Sequence, residues 1–208
     1  MSETEDILSL SVREFIEATA AKVPTPGGGS VAGVVGGLAV ALGEMSLNFT
    51  RGKKSFAEHE ETYEQAGRRL ANARRMFQDL VTDDVSAYRL YQQTSRMDDS
   101  PEKEEAMQLA VAAAIDVPRE ATKLALAVMG DLLGLSDKCS KWLVSDLVAA
   151  AALAVAAVRL SDYNVRINAP QVADETAREE IRQTSANDLA RAVALHEQIE
   201  QAVRKQLP

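Results

Sequence analysis

The chain has 208 residues, with 23 Lys and Arg against 31 Asp and Glu, a formal charge of −8. That acidic balance, with only 4% aromatic residues, argues against a nucleic-acid partner, which needs basic surface and stacking rings. At 46% hydrophobic residues, the length suits a single domain (1–208) with a sizeable core and excludes global disorder.

Residues of about 6–21, "DILSLSVREFIEATAA", place Ile7, Leu10, Phe15 and Ile16 near one stripe and predict a first helix. "VPTPGGGS" (Val23–Ser30) follows, with its permissive backbone directly before the apolar run "SVAGVVGGLAVALGEMSLNF" (Ser30–Phe49), where Glu44 is the only charge. About 20 apolar residues would cross a bilayer, and Gly33-x-x-x-Gly37 fits a membrane dimer motif. Yet the glycines dilute the hydrophobicity and no aromatic belt flanks the run, so it reads as a close-packed core helix with no membrane partner.

A long amphipathic region covers about 56–96, with Tyr63, Leu70, Phe77, Leu80, Val81, Tyr88 and Tyr91 near helical spacing. "DDSP" (Asp98–Pro101) breaks it, with Ser100 as N-cap and Pro101 at the first helical position. The next helix runs to about Leu133 and contains Pro118, which should kink it or divide it in two. "GLSDKCSK" is a turn, and Trp142–Leu160 is apolar nearly all round, so it should be central. Residues of about 174–206 form a charged closing helix. Without internal repeats, long linkers or strand-type alternation, the pattern predicts an all-α, up-and-down helical bundle.

Cys139 is the only cysteine, so no internal disulfide is available. The opening "MSETEDILSL" does not resemble a signal peptide, so a reducing cytoplasm is expected. His59 and His196 stand far apart among charged residues and read as lone surface side chains; no metal site is expected.

Five stretches carry possible chemistry. In "PTPGGGS", either Thr25 caps a helix with Pro26 at its first position or, as we favour, Ser30 caps the apolar helix after a glycine loop. Either way, Gly27, Gly28 and Gly29 place N–H groups beside a helix N-terminus, where anions or carbonyl oxygens bind; the alternative is a plain turn. No Lys-Ser/Thr follows, so this is not a P-loop. "NFTRGKKS" gathers Arg51, Lys53 and Lys54, either to complement a helix C-terminus or to meet substrate carboxylates. "TDDVSAY" sets Asp83 beside Asp84, pointing in different directions, so one can serve a site while the other is solvated. Asp146, in "SDLVAAA", lies at the threshold of an apolar helix, either near an exposed end or held by a partner. In "YNVRIN", Asn164 and Asn168 are four apart, so on a helix their amides face one way and suit a heterocycle.

Taken in order, "FIEATAAKVPTPGGGSVAG", "NFTRGKKSF", "DDVSAY", "IDVP", "SDLVAAA" and "YNVRINA" resemble the cyclodeaminase/cyclohydrolase family of folate enzymes. That family includes the C-terminal domain of formiminotransferase-cyclodeaminase and the stand-alone bacterial methenyltetrahydrofolate cyclohydrolases. The resemblance implies an all-helical homodimer that binds folate in a cleft near the subunit interface, with no cofactor beyond the folate substrate. It implies that Asp84, Asp146 and Lys54 are catalytic. It further implies that Gly27, Gly28, Gly29, Ser30, Lys53, Asn164 and Asn168 bind substrate. "DKCSKWLVSD" departs from the Gly-Asn turn usual before the family's Ser-Asp. The implied activity is hydrolysis of 5,10-methenyltetrahydrofolate to 10-formyltetrahydrofolate, with Asp84 or Asp146 as base. Ammonia-releasing formimidoyltetrahydrofolate cyclodeamination is the alternative, and a non-catalytic helical dimer is the alternative of another class.

Overall fold

The computed structural model describes residues 6–204 and 206, and among them every regular element is helical. The first predicted helix is two pieces: a 3-10 turn at Ile7–Ser9, capped by Asp6, and α1 (Val12–Ala20), opened by a Ser11/Glu14 capping box. Ser11 is extended (φ −61°, ψ 157°), and this second cap is what splits the expected helix. Ile7, Leu10 and Phe15 still share one small cluster with Val81 and Val85, but Ile16 is 62% exposed.

Four longer helices form the bundle: α2 (Gly28–Asn48), α3 (Glu60–Ser95), α4 (Pro101–Leu135) and α5 (Val144–Asn168). Each packs on the next and α5 closes back on α2, while α6 (Glu175–Val203) lies against α4 and α5. The order is up-and-down. Ser30 at the start of α2 meets Asp84 late in α3, and Arg69 early in α3 meets Asp131 late in α4. Ser46, near the end of α2, bonds the Leu143 carbonyl just ahead of α5. Their shared core includes Val40, Leu70, Phe77, Met129, Leu132 and Leu147.

Small residues in α2 serve contacts within this core. A Cβ at Gly36 would stand 2.3 Å from the Phe77 ring, so α2 and α3 approach to a distance only glycine permits. Glu44, the one charge in the apolar run, is paired with Arg74 at 2.6 Å.

Pro118 does not divide α4, which is continuous from Pro101 to Leu135. Proline removes the N–H that would bond the carbonyl four residues back, here Ala114. Asn168 Nδ2 donates to that carbonyl at 3.3 Å, so a side chain from α5 replaces the missing helix bond.

The segments Gly28–Asn48 and Lys141–Gln171 are long and apolar enough to cross a bilayer, yet 50% and 39% of their most apolar windows are buried in this chain. The Trp142–Leu160 stretch is central as expected, since α5 packs against α2, α4 and α6, but one of its faces stays open. Leu38, Phe49, Trp142 and Ile167 are each more than half exposed, on or beside these two helices.

Candidate active site at the two ends of the bundle

Neither Thr25 nor Ser30 caps the apolar helix. It starts at Gly28, with extended Gly27 as N-cap and no capping side chain of its own. A neighbouring helix supplies the acceptor. Asp84 of α3 leans over the first turn, and its Oδ2 accepts a hydrogen bond from Ser30 Oγ at 2.7 Å. Ser30 is fully buried, and Asp83 beside Asp84 is exposed. A Cβ at Gly29 would sit 1.9 Å from Asp84 Oδ1, so the carboxylate occupies space that any other residue would fill.

Burial raises the Asp84 pKa, and bonds from the Ser30 hydroxyl and backbone N–H partly oppose it. The result is a half-buried carboxylate at the positive end of a helix dipole, more basic than an ordinary aspartate.

Asn164 joins this end: the Gly28 Cβ position lies 3.7 Å from Asn164 Nδ2. That amide donates to Leu160 O at 2.8 Å. Asn168 points elsewhere, donating to Asn164 O at 2.9 Å and to Ala114 O, so its N–H groups serve the backbone and not a shared two-amide grip. A cleft of about 630 Å³ opens beside Gly28 and Asn164 and is walled by Tyr163 and Ile167.

The remaining residues gather at the opposite end. Gly52 (φ +76°) makes the turn after α2 and leads into Lys53 and Lys54, both exposed, as is Arg51. Lys53 Nζ stands 3.5 Å from Ser140 Oγ. Buried Thr50 ties the turns together, donating to Ser46 O at 2.8 Å and accepting from Ser140 N at 3.0 Å. Tyr63 is fully buried, its hydroxyl donates to Lys138 O at 2.6 Å, and burial pushes its pKa up to about 12. Cys139 is buried, which raises its thiol pKa. Asp146 sits half-buried in the first turn of α5.

Asp146 and Asn164 are separated by eighteen residues of α5, about 27 Å at helical rise. Within one chain, then, Gly27–Ser30, Asp84 and Asn164 form one half of a site, while Lys53, Lys54 and Asp146 stand too far away to touch the same reacting atoms. The histidines are half-buried and not on the open surface: His59 packs edge-on to Tyr63 at 6.0 Å, and His196 stands 3.8 Å from Glu200. Among the described residues no group of three or more His, Cys, Asp or Glu is placed to hold a metal ion. Arg166 and Arg182 also line the cleft beside Gly28, a role sequence reasoning missed. The Asp162-x-x-x-Arg166 spacing hinted at the first; nothing local marked the second.

Comparison with known proteins agrees with this architecture. The formiminotransferase-cyclodeaminase family model matches residues 11–187. A methenyltetrahydrofolate cyclohydrolase of Methylorubrum extorquens is 29% identical over 202 residues, covering 95% of this chain and 97% of that protein. The formimidoyltransferase-cyclodeaminase of Gallus gallus is 27% identical over 186 residues, 87% of this chain but 34% of the avian protein. The solved formiminotetrahydrofolate cyclodeaminase of Thermotoga maritima superposes with a TM-score of 0.88 at 29% identity, covering 96% of this chain and 98% of that one. The matched stretch contains both halves of the site and all the helices of the closed bundle, so the chain belongs to the formiminotransferase-cyclodeaminase family.

Proposed function

We propose that this protein is a folate enzyme that hydrolyses 5,10-methenyltetrahydrofolate to 10-formyltetrahydrofolate. What supports this is the 29% identity to the Methylorubrum extorquens cyclohydrolase over 95% of this chain, together with a half-buried carboxylate at the glycine end suited to take a proton from water. Water adds to the bridging carbon of the N–C–N cation, the bond to N5 breaks, and one proton is released. Asp84 attracts the cation and takes the water's proton, a role that a burial-raised pKa favours. Gly27–Ser30 and Asn164 present polar groups to the pterin. No cofactor beyond the folate substrate enters this scheme.

The active unit in this reading is a homodimer. The open apolar faces of α2 and α5 are the surface available for it, and a two-fold axis across these helices sets the partner antiparallel. That arrangement carries Lys54 and Asp146 of one protomer to the Asp84 end of the other, where Lys54 protonates the leaving N5. The same faces then serve a protein partner and not a bilayer, in a cytoplasmic protein without nucleic-acid contacts.

A second reading, cyclodeamination of 5-formiminotetrahydrofolate with loss of ammonia, is favoured by the Thermotoga maritima structure. It uses the same tetrahedral centre between N5 and N10. Loss of the near-ultraviolet absorbance of methenyltetrahydrofolate on adding protein, above the buffer rate, tests the first reading. Ammonia released from the formimino substrate tests the second. Unchanged decay, no ammonia and no thermal shift with folates would leave a non-catalytic helical dimer.

A further inference from the structure

Resting on the folate reading above, we propose that Arg166 and Arg182 hold the carboxylate-bearing glutamate tail of the substrate. The lysine pair is ruled out for this within one chain, because it lies at the other end of the bundle. A ligand seated against Gly28 and Asn164 meets two cations in the same cleft, Arg166 from α5 and Arg182 from α6. Both arginines also line a second pocket of about 360 Å³, shared with Glu179 and Gln183, whereas Gly28 and Asn164 line only the first. The arginines therefore stand where the first cleft opens into the second. A folate with its pterin at the glycine end would lay its benzoyl ring along Tyr163 and Ile167 and reach this junction with its tail.

Arg166 has a buried carboxylate beneath it. Its guanidinium lies 3.7 Å from Asp162 Oδ2, and Asp162 is 3% exposed. The other carboxylate oxygen of Asp162 accepts from Ser185 Oγ at 2.8 Å, tying α5 to α6 at this point. A carboxylate so buried is seldom kept without a partner. The Arg166 side chain itself is 60% exposed, which leaves its guanidinium accessible to a second carboxylate, for which its planar fork is suited. Arg182 stands opposite on α6, exposed. Asp162 and Glu179 line the second pocket with the two arginines, so the junction offers two exposed guanidinium groups in an otherwise acidic protein and not a net positive field.

The test is the KM for 5,10-methenyltetrahydrofolate bearing one glutamate against three. The wild type should bind the triglutamate about ten-fold better, the gain expected from two partly exposed ion pairs. R166Q/R182Q should bring that ratio to within about two-fold of unity, and R182Q alone, on an exposed residue, should reduce it about three-fold. R191Q makes a charge change elsewhere on α6 and should leave the ratio intact. A ratio near one in the wild type overturns the tail assignment alone, as does a full ratio retained by the double variant in a folded protein. Loss of the ratio in K53Q, but not in the arginine variants, overturns it too. Absence of turnover with either substrate overturns the folate hydrolase reading, and this proposal with it.

Discussion

The two ends of the bundle are built from similar parts but use them differently. Each has an aspartate at a helix N-terminus and a turn rich in glycine or small residues. At the glycine end, Asp84 comes from another helix, caps α2 from outside and is held by Ser30 in a space that only Gly29 leaves open. At the lysine end, Asp146 belongs to the first turn of its own helix, and the ordered bonds run between Thr50, Ser140, Tyr63 and Lys138, which staple the loops. One end holds a carboxylate under tension between burial and hydrogen bonding. The other holds exposed cations on a stapled turn. A catalytic base needs the first arrangement, and a mobile proton donor suits the second.

Substituting Asp84 gives the sharpest separation between the ends. D84N should lower kcat at least ~100-fold in the methenyltetrahydrofolate assay. Because folding raises the Asp84 pKa, its contribution favours the folded state below the unfolded value of about 3.9 and is lost as pH rises through the raised value. At neutral pH the buried charge is a net cost, so D84N should hold or raise Tm while removing activity. For the same reason, wild-type kcat/KM should fall on the acid side with an apparent pKa above the ordinary aspartate range. A large drop in Tm, or full activity, would remove Asp84 from its role.

The dimeric combination of the two ends has its own test. D84N and K54M homodimers should each be inactive, and a co-refolded mixture should regain about a quarter of wild-type activity, since a random heterodimer keeps one intact site of two. No recovery would mean that the ends do not meet across the interface.

Alanine at Gly29 and at Gly52 should differ in kind. G29A pushes a methyl group into Asp84 and should cost kcat about ten-fold or more along with about 1–3 kcal/mol of stability. G52A meets open space but a left-handed φ, so it should cost about 1 kcal/mol in chemical denaturation and leave kcat nearly unchanged. The smallest effect is Y63F. It frees the half-buried Lys138 carbonyl and should cost about 0.5–1 kcal/mol without altering the glycine end.

Much of this was legible from residue patterns. The Ser100/Pro101 start of α4 and the apolar periodicity of α3 each report a local requirement, a cap or a buried stripe, that a linear reading can detect. The glycine run was legible as a helix start, but its cap was not, because the acceptor comes from Asp84, fifty-four residues away. Pro118 was read as a break for a similar reason: the donor that serves the Ala114 carbonyl it leaves unpaired is Asn168, on another helix.

The sequence by itself determined an all-helical chain, its helix order, the family and the residue types suited to folate chemistry, since composition, periodicity and capping are properties of neighbouring residues. Only the tertiary structure decided which of those residues share an end of the bundle, which asparagine faces the cleft, and that Arg166 and Arg182 flank it. Antiparallel packing of helices about 30–55 Å long places residues far apart in the chain side by side and puts the two ends of a single helix out of each other's reach.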